Sequence, residues 1–361
     1  MIKNISSSEL YHFPVMLDEV IKICSPKKGD ILLDCTFGGG GYSKKFLKFS
    51  NTKVIALDRD DYILNISRQF KKKYPNRFFF YHRKFSEVNT VIEGQSADAV
   101  VFDLGLSSIQ LNNLKRGFSF KSKESLDMSM GLSNTSAEEV VNNLSEKDLK
   151  LIIKILGEEK DAFRIAKNIV KYRLTKKITM VNQLVEIIEK SKKRDYTKKI
   201  SPSTKTFQAL RIFVNKEISE LVQGIINATK VLKPGGKIVM VEPWNNRWAR
   251  WVYTHFHHEP FEPSAKKWHF PQSGPLSGAN GALPWIIFER DRPLFFKRHP
   301  EWDIESITSL MPLVYLLSGG VSLRNLLPGW LFGLVRSVEQ LGFAKQCGMF
   351  AEIVLVKNCE H

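Results

Sequence analysis

The stretch that most constrains what this chain can fold into runs Ile31-Leu32-Leu33-Asp34-Cys35-Thr36-Phe37-Gly38-Gly39-Gly40-Gly41-Tyr42-Ser43. A short apolar run ends in a carboxylate, four glycines follow, and a helix-compatible segment, 44–49, comes next. This is how a strand–turn–helix unit reads when its turn must let a ligand touch the backbone. Glycine has no Cβ, so the chain can approach a ligand closely and take φ > 0. The helix beyond presents unpaired N–H groups at its start. A second apolar run, Lys53 to Asp58, also ends in an acid. An acid about 20 residues after a glycine turn is the usual partner of a ribose hydroxyl pair. A dinucleotide satisfies the same logic, but reading Gly38-x-Gly40 as its fingerprint puts Ser43 where the third glycine belongs.

The chain continues in alternating fashion. Strands are expected at 31–34, 54–58, 78–82, 97–103 and 237–242, with helices at 16–24 and 62–73. Strands alternating with helices imply a parallel sheet, whose ligands bind beyond the carboxyl ends of the strands. The turn Leu104-Gly105-Leu106-Ser107-Ser108 occupies such an end. From 125 to about 203 only helical spacing is found, which reads as an all-helical insertion, and 206–232 reads as one long helix returning to the sheet. The expected domains are 1–124 (α/β, first part), 125–205 (helical insertion for substrate recognition) and 206–361 (α/β, second part). Segments 286–289 and 350–356 are the candidates for the last two strands of a seven-stranded sheet.

The 361-residue chain can bury a large core, and its net charge of +17 favours an anionic partner such as nucleic acid. Four scattered cysteines suggest neither a disulfide framework nor a zinc site, and His255, His257, His258 and Glu259 fit no common metal spacing. The basic run Lys192, Lys193, Arg194, Lys198, Lys199 reads as a solvated loop or a phosphate contact. No apolar run reaches the ~18 residues of a spanning helix, so a cytoplasmic protein without stable membrane insertion is expected.

The glycine turn looks like motif I of class I S-adenosylmethionine (SAM) methyltransferases. Residues of about 11–221 resemble the RsmH/MraW family more closely still. The resemblance rests on Asp34 to Gly41, Ala56-Leu57-Asp58-Arg59-Asp60, Asp103 to Leu111, Arg116 to Phe120, Leu126 to Met130, Gly157-Glu158-Glu159 and Thr206 to Asn215, together with 11–17. It implies a Rossmann-like, mostly parallel seven-stranded sheet with a helical insertion. It also implies SAM as cofactor and N4 methylation of a cytidine in 16S rRNA, with the small ribosomal subunit as partner and a homodimer left open. Tyr42 stands where the family has histidine. Residues of about 228–357 look instead like the C-terminal half of a different class I methyltransferase. Two rival functions therefore accompany the main one: methylation of a small-molecule, lipid or glycan substrate, and a non-catalytic fusion that binds SAM or RNA.

Carried over from the family, SAM contacts fall on Gly40, Gly41, Tyr42, Asp58, Phe85, Asp103 and Gln110. Asp58 would hold the ribose hydroxyls and Phe85 would pack near the adenine. The lone pair of a cytosine N4 amine is conjugated with the ring, so an acceptor on N4–H would turn it toward the methyl group. Asp103 is the candidate for that catalytic role, with a pure SAM contact as the alternative. Ser107, Ser108, Arg211 and Asn215 are the candidate substrate contacts, and no metal is expected.

Overall fold

The structure, a computed structural model, describes residues 17–104, 107–192, 201–256, 261–266, 268, 280–310 and 347–358. Several expectations lie outside those residues: the motif at 11–16, Gly105 and Leu106, the basic run from 193 onward, and His257, His258 and Glu259. The chain divides into two compact units, Met1–Lys233 and Pro234–His361.

In the first unit, α1 (Leu17–Cys24) precedes four strands: β1 (Ile31–Asp34), β2 (Lys53–Asp58), β3 (Phe78–His82) and β4 (Ala99–Val101). They form one sheet of order β3-β2-β1-β4, parallel throughout. Parallel pairing requires crossovers, and helices α2 (Gly41–Phe46) and α3 (Leu64–Lys73) supply them. The central strands are covered on both faces, which explains their continuous apolar runs. Leu32, Val54 and Phe46 pack on one side, and Leu33, Leu57 and Val231 on the other.

Helix α4 (Ser108–Asn112) leads into a helical layer of α5 (Ala137–Asn143), α6 (Glu146–Leu156), α7 (Ala162–Arg173), α8 (Val181–Ser191) and α9 (Thr204–Val214). This layer has its own core, with Leu149, Ile153, Ile165, Ile169, Leu184 and Leu210 all buried. The starts are specified locally. Ser136 and Glu139 form a reciprocal capping box on α5, and Ser145 caps α6 through the Asp148 N–H.

The single helix expected over 206–232 is two helices, α9 and α10 (Glu217–Val231), because Lys216 turns left-handed at φ 51°. The break is held by the side chain of Asn215, which no reading of helical periodicity can anticipate.

The second unit holds β5 (Lys237–Pro243), α11 (Arg247–Phe256), α12 (Leu283–Trp285), α13 (Arg292–Arg298), β6 (Trp302–Leu310) and β7 (Phe350–Lys357). Its sheet is antiparallel, of order β5-β7-β6, and Ala249, Val252, Tyr253 and Met349 form a separate small core. The strand expected at 286–289 is instead a π-helical turn, Ile286–Arg290, continuing α12. Pro284 starts that helix and Pro293 starts the next, so proline fixes helical φ at both ends. The strand lies further on, at β6.

Among the described residues the seven strands thus fall in two hydrogen-bonded sheets of four and three. The outer edge of β4 is already occupied at its start. Val231 O accepts from Ser96 and Ala97 N–H, and Lys233 N–H donates to Ala97 O.

Candidate functional site

At the carboxyl ends of β1, β2 and β4 lies a cavity of about 470 Å³. Cys35 to Gly39, Gly41 and Tyr42 line it from the turn after β1. Asp58 ends β2 and Arg59 and Ile63 follow it, Phe85, Asp103, Leu104 and Ser107 come from the segments after β3 and β4, and Gln110 from α4. Met130 from the segment before α5, Ile212 from α9, and Glu217, Ile218, Glu220 and Leu221 from α10 close it.

The turn is shaped by Gly38 at φ 50° and Gly40 at φ 77°. A Cβ on Gly40 would sit 2.6 Å from Phe70 Cζ and 2.9 Å from Phe37 Cε2. Gly40 therefore shapes the wall without lining it. Asp34 is fully buried beneath the turn and holds it to the sheet: its Oδ2 accepts from Ser43 N–H (3.1 Å) and Oγ–H (2.7 Å).

Asp58 is the acid at the cavity floor. Its Oδ2 accepts from Gly38 N–H (2.8 Å) and its Oδ1 from Asp60 N–H (2.9 Å). Burial raises the carboxyls of both Asp34 and Asp58 to about 6, against the opposing pull of these donors. Arg59 fans its guanidinium across the helical side, donating to Met130 O (3.1 Å), Asn215 O (2.8 Å) and Ser133 Oγ (2.8 Å). Burial lowers its pKa.

Asp103 is exposed in the cavity mouth, and its backbone N–H donates to Thr36 Oγ1 at 2.7 Å. Phe85 lines the wall and meets Phe102 edge-on at 5.6 Å. Gln110 spends both ends of its amide on structure: Nε2 donates to Asp60 Oδ2 (2.9 Å), and Oε1 accepts from Ser107 N–H (2.9 Å). Asp60 in turn pairs with the buried Arg116 at 2.6 Å.

Of the sequence-predicted site residues, Gly41, Tyr42, Asp58, Phe85, Asp103, Ser107 and Gln110 meet in this one cavity. Ser108 begins α4, and its side chain lies outside the description. Arg211 and Asn215 do not line the cavity, which corrects the expectation that they reach it as substrate contacts. Asn215 is fully buried, with all its side-chain capacity used. Its Oδ1 accepts from Met130 N–H (2.9 Å) and Ser133 Oγ–H (2.7 Å), and its Nδ2 donates to the carbonyls of Met128 and Arg211 (2.9 Å each). Arg211 is held by Glu217 in a two-pronged pair at 2.7 and 2.9 Å.

Glu217 and Glu220 are the residues that sequence reasoning missed. Both residues line the cavity from the first turn of α10, and Glu220 accepts from Ser86 Oγ (2.5 Å) with Lys84 Nζ at 3.4 Å. Their signal, two acids at a helix start, was hidden inside a span read as continuous helix. Among the described residues no His, Cys, Asp and Glu group could hold a metal ion.

A family model described as the MraW methylase family matches residues 9–268. Ribosomal RNA small subunit methyltransferase H of Ehrlichia canis (strain Jake) is 43% identical over 234 residues, covering 64% of this chain and 79% of that protein. The protein of the same name from Rickettsia canadensis (strain McKiel) is 38% identical over 283 residues, covering 78% and 91%. Among solved structures, a geranyl diphosphate methyltransferase in complex with SAM aligns over 96% of this chain and 85% of its own. Its TM-score of 0.33 and identity of 9% are too low to carry an argument.

Proposed function

We propose that this chain, which belongs to the MraW methylase family of SAM-dependent methyltransferases, methylates N4 of a cytidine in the 16S rRNA of the small ribosomal subunit. The observation that carries the reading is a single cavity at the strand ends that joins Asp58, the glycine turn and Asp103. The name shared by the relatives supports small-subunit rRNA as the substrate class.

The residues present fit SAM. Asp58 offers oxygen lone pairs at the cavity floor for a ribose hydroxyl pair, and the turn at Gly38 and Gly39 gives close backbone approach. Phe85 supplies an apolar face. Asp58 and Asp103 line the cavity against Arg59, while Glu217 and Glu220 are paired with Arg211 and Lys84, a balance whose small acidic excess favours a cationic ligand. Bound SAM supplies an electrophilic methyl group on a sulfonium. The protein's task is then proximity and alignment. Asp103, in the open mouth, accepts a hydrogen bond from N4–H of the incoming base, turns its lone pair toward the methyl group and takes up the proton's developing charge. The helical part, residues 125–205, sets the substrate. No helix among the described residues is long and apolar enough to cross a membrane.

The test is methyl transfer from labelled SAM to 30S subunits and to naked 16S rRNA, with Asp103→Ala alongside. Label mapped to a cytidine N4, and lost in the variant while SAM binding persists, is the expected result. Loss of SAM binding in the variant would make Asp103 a cofactor contact. No label on either RNA substrate would overturn the assignment.

A further inference from the structure

Helices α6 and α7 pack on one another and leave a common outer face. On α6, Lys147, Lys150, Leu151 and Lys154 are all exposed, at the i, i+3, i+4 and i+7 spacing of a single stripe. On α7, Phe163, Lys167 and Lys171 are exposed at i, i+4 and i+8. The two stripes meet: Lys150 Nζ stands 5.6 Å from the centre of the Phe163 ring. Each stripe runs about 10–12 Å, at 1.5 Å per residue.

The charges are not neutralised locally. None of these five lysines is in an ion pair among the described residues, whereas the neighbouring Arg164 is taken by Asp161. The nearby acid Asp148 lies at the α6 start, where its Oδ2 accepts from Ser145 Oγ. Among the described residues of α6 and α7, Leu151 and Phe163, 53% and 51% exposed, are the only exposed large apolar side chains, with Leu174 following at the end of α7. That is too little apolar area for the core of a protein–protein interface, which is depleted in lysine. A lone aromatic ring among cations is what an unpaired base and its flanking phosphates require.

We propose that this α6–α7 face is a second RNA contact. Phe163 stacks an unpaired base, and Lys147, Lys150, Lys154, Lys167 and Lys171 hold the phosphates around it. It lies on residues that do not line the cavity, and it rests on the reading of rRNA as substrate.

The experiment measures binding of naked 16S rRNA from 50 to 200 mM salt by the full chain and by the Lys150→Gln/Lys154→Gln/Lys167→Gln/Lys171→Gln variant. Each phosphate contact adds about 0.7 to the log–log salt slope on a single strand, so the variant's slope should fall by roughly 3. Phe163→Ala should weaken binding roughly 5- to 150-fold with little change of slope. SAM binding and the thermal midpoint, measured on every variant, should match the parent, and the corresponding Lys→Arg variant should restore the slope. If the parent methylates the rRNA and the Gln variant keeps its slope and affinity, the face is merely solvated and the inference fails while the substrate reading stands. If the parent shows no salt-dependent binding of rRNA, the substrate reading fails first.

Discussion

Asn215→Ala removes the side chain that ties the end of α9 to the 128–133 segment. Two of its four bonds leave partners that keep another bond: Arg211 O keeps the Asn215 N–H (3.1 Å), and Ser133 Oγ still accepts from Arg59 Nη2 (2.8 Å) although its own O–H loses its acceptor. The Met130 N–H and the Met128 carbonyl lose theirs. Each orphaned buried group costs about 1–3 kcal/mol, so the variant should lose roughly 2–6 kcal/mol of stability. Met128 sits at φ 59°, a strained conformation for its side-chain type, and this bond helps hold it there. Asn215→Asp keeps the acceptor but loses the donor to Met128 O and buries a charge, so it should not rescue. Urea unfolding followed by circular dichroism reads the stability, and calorimetry reads SAM affinity. Because Asn215 O also receives Arg59, whose neighbour is Asp58, SAM affinity should fall along with stability. A loss below about 1 kcal/mol with unchanged SAM affinity would refute the argument, since it would mean that these buried groups find other partners.

Other expectations follow from the same geometry. Gly40→Ala should cost about 1–2 kcal/mol for the left-handed backbone and a further ~1–3 for the collision with Phe70 and Phe37. Gly29→Ala, at φ 90° with nothing within 4 Å, should show only the first part, and equal midpoints for the two would count against the ring contact. Burial raises Asp34 and Asp58 from 3.8 to about 6, so the ligand-free fold binds protons more readily than the unfolded chain. Its stability should therefore decline as pH rises from about 4 to 6 and level off above. Hydroxyl donors to Asp58 favour its charged form, so SAM affinity should climb over the same range by up to about tenfold per pH unit, and Asp58→Asn should flatten the curve. A flat profile in the parent between pH 5 and 7.5 would contradict this. Arg116→Met strands Asp60 in a buried site and should cost about 3–5 kcal/mol in denaturant melts.

Much of the α/β framework was legible because its signals are local. Apolar runs ending in Asp34 and Asp58 gave the strands, and the glycines between them gave the turn. The helical layer was legible for the same reason: Ser136 and Ser145 mark starts, and the buried residues recur at helical spacing. Most of the misses were non-local. Periodicity continues through 215–216, and only the remote carbonyls and N–H groups that Asn215 binds explain why the helix stops there. That one break also moved Glu217 and Glu220 out of an apparent helix middle and into a first turn facing the cavity. The strand expected at 286–289 failed because a short apolar run suits helix or strand alike, and the flanking prolines decided it. Whether β4 would pair onward depended on the 231–233 backbone reaching its edge, which no pattern within either segment records.

The clamp between Arg59 and Asn215 also bears on how the protein comes to be active during synthesis. The two residues are 156 positions apart, and the cavity wall continues to Leu221. Closing so long a loop is entropically costly, though the cost grows only slowly with length. The intervening helical layer, folding on its own local contacts, shortens the distance the free chain must search. Cofactor binding should therefore follow that layer, since a nascent chain that has completed only its glycine turn and first strands lacks Met130, Ile212, Glu217 and Glu220 from the cavity wall. Recovery of SAM affinity on refolding should track the slowest step that unites residues 59, 130 and 215, rather than the earlier appearance of secondary structure.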